Sequence, residues 1–271
     1  MTSSPPSGPE SGVSAVIRQD RALVGFGLAA VTLISWWHLV RMAAAMNAAA
    51  ADKALHAAMG MPEMAAWGGA EFVTLFVMWA VMMIAMMLPS AAPIILLVVG
   101  VYRRRGVRAP VLTTAFGAGY VLAWTTFSGV AAFTQLGLHR AAVLSLDMST
   151  HSAILSGAML ICAGVYQWLP IKGACLTHCR SPLAFLAQEW REGVGGALAM
   201  GLRHGLYCVG CCWALMTLLF AAGVMNLFWV GVIAAFVLVE KLAPQGARLG
   251  RVAGMLLVAW GGWMLARGIW G

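Results

Sequence analysis

Met200, His204, Cys208, Cys212 and Met216 recur at intervals of four, with Cys211 beside them. On a helix this spacing makes one slowly drifting stripe. Every side chain in it is a soft-metal donor: thiolates and thioethers select Cu(I), and imidazole suits copper and zinc alike. A single cysteine can be inert filler, because free Cys packs as a small hydrophobe. Three thiols, an imidazole and two thioethers in register point to a metal or redox role. A second set lies just upstream, in Cys175-Leu176-Thr177-His178-Cys179-Arg180. If this segment is helical, Cys175, His178 and Cys179 share one face. Two thiolates and an imidazole could hold Cu(I) trigonally, or supply three corners of a Zn²⁺ tetrahedron. The C-x-x-x-C spacing is not the C-x-x-C of thioredoxin-like redox motifs.

A third set is all thioether. In Met78-Trp79-Ala80-Val81-Met82-Met83-Ile84-Ala85-Met86-Met87, Met78, Met82 and Met86 stack on one helical face, and Met83 and Met87 form an adjacent stripe. A neutral ligand binds Cu(I) without burying a charge in lipid; the alternative is that Met fills irregular gaps in an apolar core. The weakest set is His56 with Met59, Met61 and Met64, in a segment that could collect Cu(I) or simply lie on the bilayer surface. Cys162 completes the six cysteines.

The elements that must carry these residues are membrane helices. Hydrophobic residues make up 62% of the chain, charged residues only 10%, and mean hydropathy is +0.86. Soluble domains run about 45–50% apolar and about 25% charged. Apolar runs cover Ala22–Val40, Phe72–Tyr102, Val111–Leu138, Ser152–Leu169 and Val252–Ala266. From His204 to Val239 no Asp, Glu, Lys or Arg appears. Those 36 residues would be roughly 54 Å of helix, too long for one crossing of a core about 30 Å thick. Gly223 and Asn226 therefore mark a turn between two helices. Pro89 and Pro93 predict a kink or break in the second run. The fold expected is an all-α transmembrane bundle of about seven spans, with six as the alternative. Residues 1–20 are expected as a disordered cytoplasmic tail, Ser/Pro/Gly-rich and unlike a signal peptide. Residues 21–271 form the membrane domain.

The basic residues set an orientation. Seven spans with a cytoplasmic N-terminus put Arg18, Arg21, Arg103, Arg104, Arg105, Arg108, Lys172, Arg180, Arg191, Arg203, Lys241, Arg248 and Arg251 inside. Only Arg41, Lys53, Arg140 and Arg267 fall outside, which accounts for all 17. A thirteen-to-four split follows the positive-inside rule. It also explains the net charge of +8 by lipid headgroups, not nucleic acid. Reduced cytoplasmic thiols at Cys175 and Cys179 disfavour a structural disulfide. Arg203 and Glu240-Lys241 sit at span edges, where snorkelling accounts for them, and Arg203 could also offset thiolate charge. Tyr166, Gln167 and Tyr207 could hydrogen-bond between helices. No internal repeat indicates a two-fold transporter.

Four blocks together resemble a bacterial family of predicted metal-binding integral membrane proteins, a domain of unknown function whose members carry a copper chaperone label. They are Met78 through Ser90; Tyr166-Gln167-Trp168-Leu169-Pro170-Ile171-Lys172 followed by Cys175, His178, Cys179, Arg180, Ser181 and Pro182; Gly205 through Met216; and Gly223-Val224-Met225-Asn226 through Glu240-Lys241. The resemblance covers roughly residues 70–265. It implies a multi-pass protein of the bacterial inner membrane that binds a soft metal.

The function expected is Cu(I) binding in copper transport, delivery or homeostasis, with zinc or another soft metal as alternative cargo. Outer thioethers, central thiols and an inner thiol–imidazole set would make a graded relay. A membrane or periplasmic cuproprotein would be the partner. Two other classes compete: a membrane thiol–disulfide oxidoreductase using Cys208, Cys211 and Cys212, and a structural subunit of a membrane metalloenzyme complex. Paired haem ligation has only His38 and His204 within spans to draw on. No Walker motif, G-x-S-x-G or H-E-x-x-H is present.

Overall fold

The computed structural model describes residues 9–58, 69–107, 109–140 and 153–270. Among these the chain is all-helical: α1 (Pro9–Ala58), α2 (Gly69–Arg104), α3 (Ala109–Arg140), α4 (Ala153–Tyr166), α5 (Pro170–Arg180), α6 (Pro182–Glu189), α7 (Gly193–Ala222), α8 (Leu227–Leu242) and α9 (Gly246–Trp270). Helix α1 begins inside the segment expected as tail. The segment Met59–Met64 lies outside the described residues.

Five helices are long and apolar enough to cross a bilayer: α1, α2, α3, α7 and α9. A sixth span results if α4 and α5 count as one element, bent by 63°. The bend has a local cause. Pro170 opens α5 at a position where its missing N–H costs nothing, and it cannot continue α4. Helix α8 is only 16 residues, about 24 Å, short of a full crossing. The turn expected at Gly223 and Asn226 is present: Gly223 takes a φ of 92° after α7, and Asn226 precedes α8.

The break expected near Pro89 is absent, and α2 is one continuous helix. Pro89 has no N–H to give the Ala85 carbonyl one turn earlier. The Trp36 indole of α1 donates to that carbonyl instead, at 3.2 Å. Neighbouring helices routinely re-satisfy backbone groups freed by proline in membranes.

Helix α7 is the hub, packed by α3, α4 and α5. Lipid offers little hydrophobic driving force between helices, so close approach depends on small residues. Gly119 of α3 packs on Gly201 of α7, and Gly205 packs on the Tyr120 backbone. Gly157 and Gly164 of α4 do the same with Gly261 and Gly254 of α9, where an added Cβ would stand 2.8 Å from a carbonyl. Gly201→Val would drive its side chain into the Phe116 backbone, which cannot yield as a side-chain tip does. We expect a loss of about 3 kcal/mol, the upper end for overpacking. It would be read as a lowered melting temperature in detergent.

Candidate metal centre

Two short helices end where the site begins. Helix α4 stops at Tyr166, whose hydroxyl donates to the Gly210 carbonyl of α7 and whose ring packs on Trp213 at 5.3 Å. Helix α8 stops just past Lys241, whose Nζ lies 2.8 Å from Cys208 Sγ. Gly210 and Cys208 are neighbours on α7, so both truncated helices terminate at one depth. Irregular backbone at membrane depth is tolerated where it lines a protein-enclosed site.

Helix α5 fills the space they leave. Lys172, at its start, forms a buried ion pair with Glu240 of α8 at 2.6 Å and also donates to the Gln167 side-chain carbonyl. Arg180, at its end, donates to the carbonyls of Ala243 and Pro244, at 2.7 and 2.8 Å, closing off the C-terminus of α8. Fastened at both ends, α5 turns its thiols toward α7. Cys179 lies in the electrostatic neighbourhood of the Cys208 and Cys211 thiols. Cys175 sits over Gly210, where a Cβ would stand 2.8 Å from its sulfur.

Four thiols thus converge: Cys179, Cys208, Cys211 and Cys212. The last three are almost fully buried, and all six cysteines of the chain are free. Cys211 and Cys212 each donate to the Cys208 carbonyl, at 3.1 and 3.0 Å. Cys208 is the centre of the group. Besides Lys241, the Tyr120 hydroxyl of α3 lies 3.1 Å from its sulfur. Tyr120 also reaches the Met87 carbonyl, and Lys241 reaches Ser90 Oγ at 3.0 Å.

The methionine ladder leads to this group. Met78, Met82, Met83, Met86 and Met87 are all buried, as one helical face of the packed α2 requires. Met87 reaches the thiols, with Sδ 4.0 Å from Cys212 Sγ. Trp79 packs on Phe220 at 5.2 Å. These two contacts set an antiparallel register between α2 and α7, which places buried Met216 level with Met83.

Other donors take different positions. Met200 is buried two turns before Cys208, its sulfur accepting the Arg191 N–H at 3.3 Å. His178 stacks on the Tyr207 ring at 4.2 Å, and its Nδ1 lies 2.8 Å from the Ala174 carbonyl. His204 is buried one turn from Cys208 among Phe116, Tyr120 and Phe185, and its Nδ1 has no hydrogen-bond partner. His38 is exposed on α1 and does not join it. Cys162 is exposed on α4.

Three sequence expectations change here. The inner and central thiol sets are not separate sites at different depths, because Cys179 joins the α7 thiols. Arg203 does not balance thiolate charge; it pairs with Glu189 at 2.6 Å. Lys241 does not snorkel: it is 6% exposed and faces Cys208. Lys241, Tyr120 and Ser90 were the residues that sequence reasoning missed. The available signal was a charged pair, Glu240-Lys241, closing an apolar run too short to carry it to the membrane surface.

Among the described residues, no three His, Cys, Asp or Glu stand ready-arranged to hold a metal ion. The thiols are turned toward one another, a backbone carbonyl and an ammonium. Their chemistry nevertheless fits a soft ion: buried sulfur donors, a thioether at their edge and an imidazole nitrogen left without a partner.

A family model, PpoB2, described as a copper chaperone, matches residues 76–264. That stretch contains every residue of the centre. No curated protein and no solved structure matches the chain.

Proposed function

The chain belongs to the copper chaperone family, and from that premise we propose that it is a multi-pass protein of the bacterial inner membrane that receives and hands on Cu(I) through the thiol centre. The observation supporting this reading is the cluster of Cys208, Cys211 and Cys212 with Met87 at its edge, against which α5 brings Cys175 and Cys179. Cu(I) is the substrate. Met78, Met82, Met83, Met86, Met87 and Met216 would pass it between thioethers as neutral ligands. Met87 and Cys212 would make the exchange from thioether to thiolate. Cys208 with Cys179, Cys211 or Cys212 would hold it at two or three coordinates, with His204 as an alternative donor. Cys175 and His178, beside the same face of α7, would exchange the ion with a membrane cuproprotein.

In this proposal the N-terminus is cytoplasmic, and α4–α5 and α8 complete seven passes. With the buried Lys172 and Lys241 set aside, the eleven-to-four distribution of the other basic residues still supports it.

Metal analysis of the full-length protein, purified under reducing conditions and offered copper and zinc together, tests the reading. About one equivalent of copper per chain is expected, with little zinc. A protein without stoichiometric copper, forming a Cys179–Cys208 disulfide on mild oxidation, would transfer the case to the thiol–disulfide class.

A further inference from the structure

Lys241 sits inside the sulfur cluster, where a cation is an unexpected neighbour for a metal site. Its Nζ donates to Cys208 Sγ at 2.8 Å and to Ser90 Oγ at 3.0 Å. It is not paired with the adjacent Glu240, which is taken by Lys172 at 2.6 Å. The chain therefore separates two neighbouring charges, sending one to an ion pair and the other to a thiol. We propose that Lys241 is the specificity-determining residue of the centre, a fixed counter-cation that makes it a site for a monovalent soft ion. This inference rests on the copper reading above and adds the charge state of the cargo.

The argument is electrostatic. A buried cluster is most stable when its net charge is near zero, because uncompensated charge in a low-dielectric interior is heavily penalised. Two thiolates, one ammonium and a monovalent ion sum to zero. A divalent ion in the same set leaves an excess positive charge. It would reach neutrality only by ionising a third thiol in the same enclosed cluster. Without the lysine the preference inverts: two thiolates neutralise a divalent ion and leave a monovalent one in a buried anion. Sulfur softness selects copper, zinc and cadmium together against hard ions. The ammonium distinguishes among them by charge. Tyr120, on the same sulfur at 3.1 Å, is neutral and cannot do this.

The test is a competition between Ag(I), an air-stable monovalent stand-in for Cu(I), and Cd(II), in the full-length protein in detergent. The wild type is expected to prefer Ag(I). Lys241→Met should move the Ag(I)-to-Cd(II) affinity ratio toward cadmium by on the order of a thousandfold, the scale of one unit charge about 4 Å away at an effective dielectric of about 20. Lys241→Arg, which keeps the charge, should stay within a few-fold of wild type. Lys241→Gln retains a hydrogen bond to Ser90 and carries the same measurement if the methionine variant does not fold. An unchanged ratio in the neutral variants, with silver still bound, overturns the role of Lys241 and leaves the copper reading standing. A wild type that binds neither ion overturns both.

Discussion

Serine at both Cys208 and Cys212 is expected to reduce bound copper from about one equivalent to background. Cys208 is the sulfur on which the site converges, touched by the ammonium of Lys241 and the hydroxyl of Tyr120 and within reach of three other thiols. Cys212 is the thiol facing Met87. A hydroxyl is similar in shape but hard and neutral, so it cannot replace a thiolate toward Cu(I). It can still accept the proton of Lys241, which keeps the lysine partnered and the fold intact. Cys162→Ser is the matched control, because Cys162 is exposed on α4 away from the cluster. Tyr120→Phe should fall between, weakening affinity about 10–100-fold, as loss of an outer hydrogen-bond partner does elsewhere. Metal content by mass spectrometry checks all three. Copper unchanged in the double variant would remove the central site from the proposal.

Replacing Glu240 with leucine should be strongly destabilising, by about 3–5 kcal/mol. Lys172 and Glu240 are both almost fully buried, and they join α5 to α8 across 68 residues of chain. Removing one partner leaves the other charge buried with only the Gln167 carbonyl for support. Removing both is different, because the desolvation cost of the two charges disappears with their attraction. Glu240→Leu combined with Lys172→Met should therefore recover most of the lost melting temperature. The pair also holds α5, so the single variant should raise the reactivity of Cys179 toward an alkylating reagent. A melting temperature within error of wild type for Glu240→Leu would show that α5 and α8 are held by other contacts.

Much of the site was legible one helix at a time. The four-residue spacing of His204, Cys208 and Cys212 predicted a shared face, and all three are buried on α7. The i, i+3, i+4 pattern of Cys175, His178 and Cys179 gave one shared face if the segment were helical; it is helical, as α5, and α5 packs on α7. Periodicity could not reveal which neighbour each face meets. Cys175, His178 and Cys179 were expected at the inner face, beyond a span closed at Pro170, but the 63° bend there folds α5 back against α7. Lys241 was misplaced for a related reason. Snorkelling presumes a helix that reaches the interface, and α8 ends short of it.

The sequence by itself determined the membrane solvent, the helical elements, the turn at Gly223 and the soft chemistry of the donors. These follow from composition and local spacing, which act over a few residues. Tertiary structure alone decided that four cysteines from two helices form one centre and that a lysine stands inside it. Those outcomes depend on the register of α5, α7 and α8, set by the Lys172–Glu240 pair, the Arg180 contacts and the glycine seams. Such contacts join residues far apart in the chain, and no local pattern encodes their meeting.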